Sequence, residues 1–200
     1  MKFYEQLNKA TELERNALLA TPIIQEAMSG KVTLDLYRAF LTQAYHHVKF
    51  TVPLLMEAGS KMPRHLEFMR DAIVEYIEEE YGHEKWILND IRATGGDNES
   101  VIHGKPNMAT ELMVHAVYSR IHLIHPASFF GMAHVLEGTS IALATKAANQ
   151  IQDSLGLPQS AFSYLLSHGD LDIEHVDFFR KLMDKLEDKE AQEAIIDTAR

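Results

Sequence analysis

Two short stretches of the chain concentrate side chains that bind metals. In HGDLDIEH, His168, Asp172 and His175 stand at i, i+4 and i+7. On a helix that spacing puts all three on one stripe, within about 60° of arc. Imidazole and carboxylate together suit iron, manganese or zinc. The competing reading is a solvated acidic turn, with Gly169-Asp170 ending a helix just after His168. In EEEYGHEKW, Glu80 and His83 form the Glu-x-x-His pair of helical dinuclear centres, where a carboxylate bridges two ions and the imidazole binds one. Glu79, at i−4 from His83, competes with Glu80 for that role. The run from Glu78 to Glu84 also reads as an ordinary solvated face.

A third element is Glu137 in FFGMAHVLEGTSIALA, a carboxylate in one of the most apolar helical stretches of the chain. Burying it unpaired costs several kcal/mol or forces protonation, so it needs a cation or a hydrogen-bonded partner. A metal is one such cation. The alternatives are Lys146, the neighbouring His134, or an opening to a cleft. Gly131 and Gly138 on the same helix leave room for a backbone or a ligand. Together Glu80, His83, Glu137, His168, Asp172 and His175 supply three carboxylates and three imidazoles. That set fits two metal ions with open positions better than one closed structural site. Carboxylate-rich coordination in a helical bundle points to oxygen chemistry rather than zinc hydrolysis.

Other residues are weaker candidates. Tyr45, His46 and His47 lie in mostly apolar context, where core or cleft-lining roles outweigh ligation; one facing the centre would support ligands or line a substrate pocket. Phe129, Phe130, Met132 and Trp86 fall near the proposed ligands and would make an apolar pocket there, although aromatic stripes at helical spacing are more often plain core.

These residues need helices to position them, and helix-period patterns dominate the 200 residues. The expected fold class is all-α: one domain over residues 1–200, a bundle of about seven to eight helices. A first helix is expected over Phe3–Met28, bent at Thr21-Pro22, and a second from Thr33 to Gly59, kinked at Pro53. A third runs from Arg64 to Ala93 and stops at Gly95-Gly96. The loop GGDNESVIHGKPN reads as a linker. Helices follow over Met108–Leu123 and Ala127–Leu155. Three shorter ones come next, about Gln159–His168, Asp172–Leu186 and from Lys189 onward.

Composition removes several reaction classes. With no cysteine there is no disulfide, thiolate ligand, iron–sulfur cluster or cysteine nucleophile. A net charge of −10 without a Lys/Arg-rich run argues against nucleic-acid binding. No stretch of 18 apolar residues and no signal-type N-terminus occurs, so no membrane association is expected and the expected compartment is the cytoplasm. A homodimer is the default expectation for assembly.

The order of these elements resembles the heme-oxygenase-like diiron oxidases and oxygenases, which place a non-haem diiron centre in a heme-oxygenase-type (TenA-like) fold. The resemblance rests on HGDLDIEH read as His-x-x-x-Asp-x-x-His, on EEYGHEKWILNDI, and on the isolated Glu137 between them. It implies ligand roles for Glu80, His83, Glu137, His168, Asp172 and His175, with two iron ions, or manganese, as cofactor. It also implies dioxygen as co-substrate and oxidation of a small organic molecule. The same fold hosts thiaminase II, whose cysteine nucleophile has no counterpart here. A TenA-like small-molecule-binding protein is one alternative. A ferritin-like bundle, using Glu57 or Glu137 ahead of each carboxylate-x-x-His helix, is another.

Overall fold

Helix starts follow the side chains that can satisfy free backbone amides. Thr33, Asp97, Asn107 and Asp188 each accept from an N–H two or three residues on, and each opens a helix. The computed structural model describes the backbone of all 200 residues, and every side chain except those of Ala142 and residues 168–175. The helices are α1 (Phe3–Ala10), α2 (Glu12–Leu19), α3 (Pro22–Met28), α4 (Leu34–Val48), α5 (Thr51–Lys61) and α6 (Glu67–Glu80). There follow α7 (His83–Ala93), α8 (Asn98–His103), α9 (Met108–Leu123), α10 (Phe129–Leu155), α11 (Ser163–Lys185) and α12 (Lys189–Ala199). Short 3₁₀ turns cover Arg64–Leu66, Pro126–Ser128 and Gln159–Ala161, and no strand occurs among the described residues.

Twelve α-helices among the described residues replace the seven or eight expected, because several periodic stretches are cut by local breaks. The stretch 3–28 breaks at Thr11 as well as at Thr21. The Thr11 hydroxyl donates to the Leu7 carbonyl at 2.8 Å and also meets His134 Nε2 at 3.3 Å. Pro53 kinks nothing; it sits in the first turn of α5, where its missing N–H costs no hydrogen bond. The stretch 64–93 breaks at Gly82, whose φ of 96° only glycine adopts freely. Part of the expected linker folds as α8 once Asp97 caps it. In the opposite sense, α11 is one helix where two were expected, its backbone continuous through Gly169.

α10 is the spine. At 27 residues it extends about 40 Å and joins two apolar clusters. Phe130 and Ala133 belong to one, with Leu55, Met69, Tyr76 and Met183. Ala148 and Ile151 belong to the other, with Tyr37, Leu41, Ile87 and Phe162. At Gly131 the backbone of α12 comes so close that a Cβ would lie 2.4 Å from the Ile195 carbonyl oxygen, as the need for close approach predicts. At Gly138 no described atom lies within 4 Å of a Cβ built there.

Candidate metal centre and its cavity

Glu80 ends α6 and His83 begins α7, so the expected i, i+3 pair on one helix in fact spans a helix break. The pair still meets. Tyr81 is extended and Gly82 left-handed, and this tight turn brings His83 Nδ1 to 3.1 Å from Glu80 Oε2. His83 is buried and its ring stacks on Trp86, centroids 4.1 Å apart, which fixes the imidazole plane. Glu80 is 14 % exposed in its side chain, whereas Glu79 lies on the surface. Of the two candidates, Glu80 is the one held inside.

Glu137 is half-buried on α10 and receives a hydrogen bond from the Tyr76 hydroxyl on α6, at 3.4 Å. Burial drives the Tyr76 hydroxyl well above the ordinary tyrosine range; the charge and hydrogen bond of Glu137 push further, followed by the charges of Glu79 and Glu80. Tyr76 therefore stays protonated and remains a donor to Glu137. Lys146 is exposed, nine residues and roughly 13 Å further along α10, too far to pair with Glu137. His134, one turn before Glu137, instead packs between Thr11 and Phe179, its ring stacked on Phe179 with centroids 5.9 Å apart. Burial first, then the charge of Arg15, lowers its pKa to about 4, so it sits in the core as a neutral ring.

Glu57, the ligand a ferritin-like arrangement would require, is engaged elsewhere, 3.5 Å from both Lys61 Nζ and His122 Nδ1. His168, Asp172 and His175 lie on α11 outside the described side chains. What precedes and follows them on that helix is described. Tyr164 and Leu165 line the same cavity as Glu80 and Glu137, and Phe178 packs edge-on against Tyr76 at 5.6 Å.

The start of α11 is fixed by a residue the sequence reading passed over. Asp90, on α7 and fully buried, accepts from the Ser163 and Tyr164 amides at 2.9 Å each and from the Ser163 hydroxyl. It caps α11 across 73 residues of chain, satisfying two amides that the helix leaves open. Burial raises its pKa, and these three hydrogen bonds counter the rise. The signal available in sequence was a lone acid in the apolar face of α7, at i+7 from His83.

Glu80 and Glu137 open onto a cavity of about 390 Å³. Its wall is otherwise mostly aliphatic and aromatic. Phe129 and Met132 line it, as the sequence led one to expect, while Phe130 belongs to the core and Trp86 backs His83. His47 lines the cavity; His46 does not. His46 is buried, its Nδ1 3.3 Å from Lys49 Nζ, and its pKa is lowered by burial and then by Lys49. Tyr45 is buried with Lys49 Nζ 5.1 Å from its ring centroid. Among the described residues no group of three or more histidines and acids stands close enough to hold a metal. The donor set of Glu80, Glu137 and His83 fits iron in chemistry, being carboxylate oxygen and imidazole nitrogen, and a complete site needs ligands beyond the described side chains.

Residues 38–200 match the family model described as iron-containing redox enzymes. No curated protein matches the chain significantly. Among solved structures, one similar chain is a domain of unknown function with a heme-oxygenase-like fold from Shewanella denitrificans. It has a TM-score of 0.85 at 23% identity, covering 98% of this chain and 85% of that one. A TenA homologue from Pseudomonas syringae pv. tomato gives 0.80 at 12% identity, over 98% and 88% of the two chains. A TenA homologue from P. horikoshii gives 0.73 at 12% identity, over 100% and 93%. The fold is heme-oxygenase-like, shared with TenA proteins. Among the described residues no helix is long and apolar enough to cross a membrane.

Proposed function

Because the chain belongs to the iron-containing redox enzyme family, we propose that it is a non-haem dinuclear-iron oxidase or oxygenase that uses dioxygen to oxidise a small organic molecule. The observation that carries this reading is the pair Glu80 and Glu137, two carboxylates on different helices facing one otherwise largely apolar cavity. In this reading Glu80, His83 and Glu137 hold the metal from one side, and His168, Asp172 and His175 on α11 complete it. Manganese has the same ligand preferences. Bound iron supplies the reduction of dioxygen, which protein side chains alone do not provide.

The chain's own groups orient and protect. Tyr76 donates to Glu137 and so fixes the direction of that carboxylate. Trp86 and Glu80 fix the ring of His83. Asp90 sets the start of α11 and hence its register along α10. The apolar wall keeps water from the reacting atoms and receives the apolar part of the substrate.

The test is metal analysis after anaerobic loading with Fe(II), followed by stopped-flow absorbance on mixing with oxygen. About two irons per chain and a transient absorbance band are expected, both abolished in His175→Ala. Absence of iron uptake would overturn the reading. The cavity also supports a second reading, a TenA-like small-molecule-binding protein, which would bind its ligand unchanged after joint substitution of His168 and Asp172.

A further inference from the structure

α9 is apolar on two opposite sides. Val114, Val117 and Ile121 turn inward and are buried. On the other side Met108, Leu112, Ala116, Ser119 and Leu123 share one stripe, within about 80° of arc, and all are exposed. Met108 is 75 % exposed, Leu112 60 % and Leu123 71 %, so nothing among the described residues covers the stripe. Single exposed apolar residues are ordinary, whereas three large ones in register along one helix mark an interaction face. The apolar surface continues past the helix. Ile124 follows it and is exposed, and Met56 stands exposed on α5 next to Glu57, whose carboxylate lies 3.5 Å from His122 Nδ1.

Charge and size along this face match a second copy of it. The chain carries a net charge of −10, yet Glu111 is the one acid in α9. It lies on the same edge of the stripe as His115 and His122, the latter about three turns away. Arg120 is turned aside, donating to Thr198 Oγ1 at 2.7 Å. When a second α9 is laid end for end about Ala116, Glu111 comes opposite His122 of the partner subunit and Leu123 lies over Ala109 of the partner subunit. Ala116 then meets its own copy, and the small side chain lets the two backbones approach. A parallel pair would instead set Glu111 against Glu111 and point both helix dipoles the same way, which like-charge and dipole repulsion disfavour.

We propose that α9 is the interface of a homodimer, two copies of the helix packing antiparallel about a twofold axis at Ala116. The helix has 16 residues, so it is about 24 Å long, and its face is roughly 10 Å wide. That is less than the area of about 800 Å² per partner in a standard interface. Met56 and Ile124 on its flanks therefore join the contact, and the dimer dissociates on dilution. The interface uses neither the cavity nor the proposed metal ligands, so it stands or falls apart from the oxidase reading.

Sedimentation of the full chain across the micromolar range should show the mass rising from the 22.7 kDa of one chain to twice that value. Ala116→Arg puts two like charges together at the axis, and Leu112→Glu puts an acid on the stripe. Each should stay monomeric throughout while keeping the helical circular-dichroism spectrum, because both residues are exposed. Leu13→Arg, at an exposed apolar residue on α2, should still dimerise. The absence of cysteine allows the geometry to be tested directly. On mild oxidation Ala116→Cys should form a disulfide-linked dimer by itself. Ala109→Cys and Leu123→Cys should each fail alone, since their like copies stand about 21 Å apart along the axis, and should cross-link when mixed. A chain that stays monomeric at every concentration leaves the face to some other partner and overturns the proposal. So does a dimer that survives both Ala116→Arg and Leu112→Glu, or self-linking of Ala109→Cys.

Discussion

Glu79 and Glu80 are adjacent in sequence yet differ in what surrounds them, and in the proposed reading that difference favours Glu80 as the ligand. Glu80 is mostly buried, faces the cavity and touches His83; Glu79 is exposed. Glu80→Gln should lower bound iron to less than half of the wild-type amount under limiting metal, about the tenfold or greater loss of affinity seen when a ligand shell is disturbed. Glu79→Gln should leave it unchanged, and inductively coupled plasma analysis of the two variants reads the contrast. His134 belongs to the core and makes a pH prediction. Its folded pKa of about 4 lies below the unfolded value near 6.5, so the unfolded chain binds more protons between these limits. Its contribution is fully present above pH 6.5 and is lost as pH falls toward 4, at most about 3 kcal/mol. In His134→Leu the thermal midpoint should therefore fall less between pH 6.5 and 4 than in the wild type. An identical slope in both proteins would contradict the assignment.

At the scale of elements, the site depends on a break and a cap. Gly82 turns the chain between α6 and α7 with φ of 96°, and the turn delivers His83 to Glu80. Gly82→Ala forces a side chain into the left-handed region at about 1–2 kcal/mol. It should lower the midpoint of urea unfolding and, in the dinuclear-iron reading, also weaken iron retention, since the turn brings Glu80 and His83 together. Asp90 holds the N-terminus of α11 by three hydrogen bonds from within the core. Asp90→Ala leaves partly buried amides without acceptors and should cost about 1–3 kcal/mol. Faster hydrogen exchange at the first turn of α11 would locate the loss there; unchanged exchange would mean the cap is dispensable. Neither element was legible from periodicity. The apolar pattern of α6 continues smoothly into α7, and nothing local ties Asp90 to Ser163.

For the whole molecule, the metal should couple ligands that lie far apart in sequence. Iron that binds the folded chain and not the unfolded one stabilises by mass action, about 2.7 kcal/mol per site at a hundredfold excess over Kd. Anaerobic Fe(II) should therefore raise the melting temperature of the wild type, and the rise should vanish in Glu137→Gln. A shift of equal size in that variant would place the iron elsewhere. The apolar cavity belongs to this scale too, since its wall is drawn from α2, α3, α4, α5, α6, α10 and α11.

The all-helical class, the absence of cysteine chemistry, both ends of α9, the stop of α10 and the start of α12 follow from the chain's own pattern of apolar spacing, caps and breakers. So does the candidacy of Glu80, His83 and Glu137, because a carboxylate in an apolar helix and an acid three residues before a histidine are visible without coordinates. Tertiary packing decided what local rules could not. It settled on Glu80 over Glu79 as the inward acid, drew His134 to Thr11, moved Glu57 into surface ion pairs and enlisted Asp90 as a cap for a helix 73 residues away. The reason is that burial and long-range partners are properties of a surface once it is covered. A sequence states which side chains can pair, while the packing of α10 against its neighbours determines which ones meet.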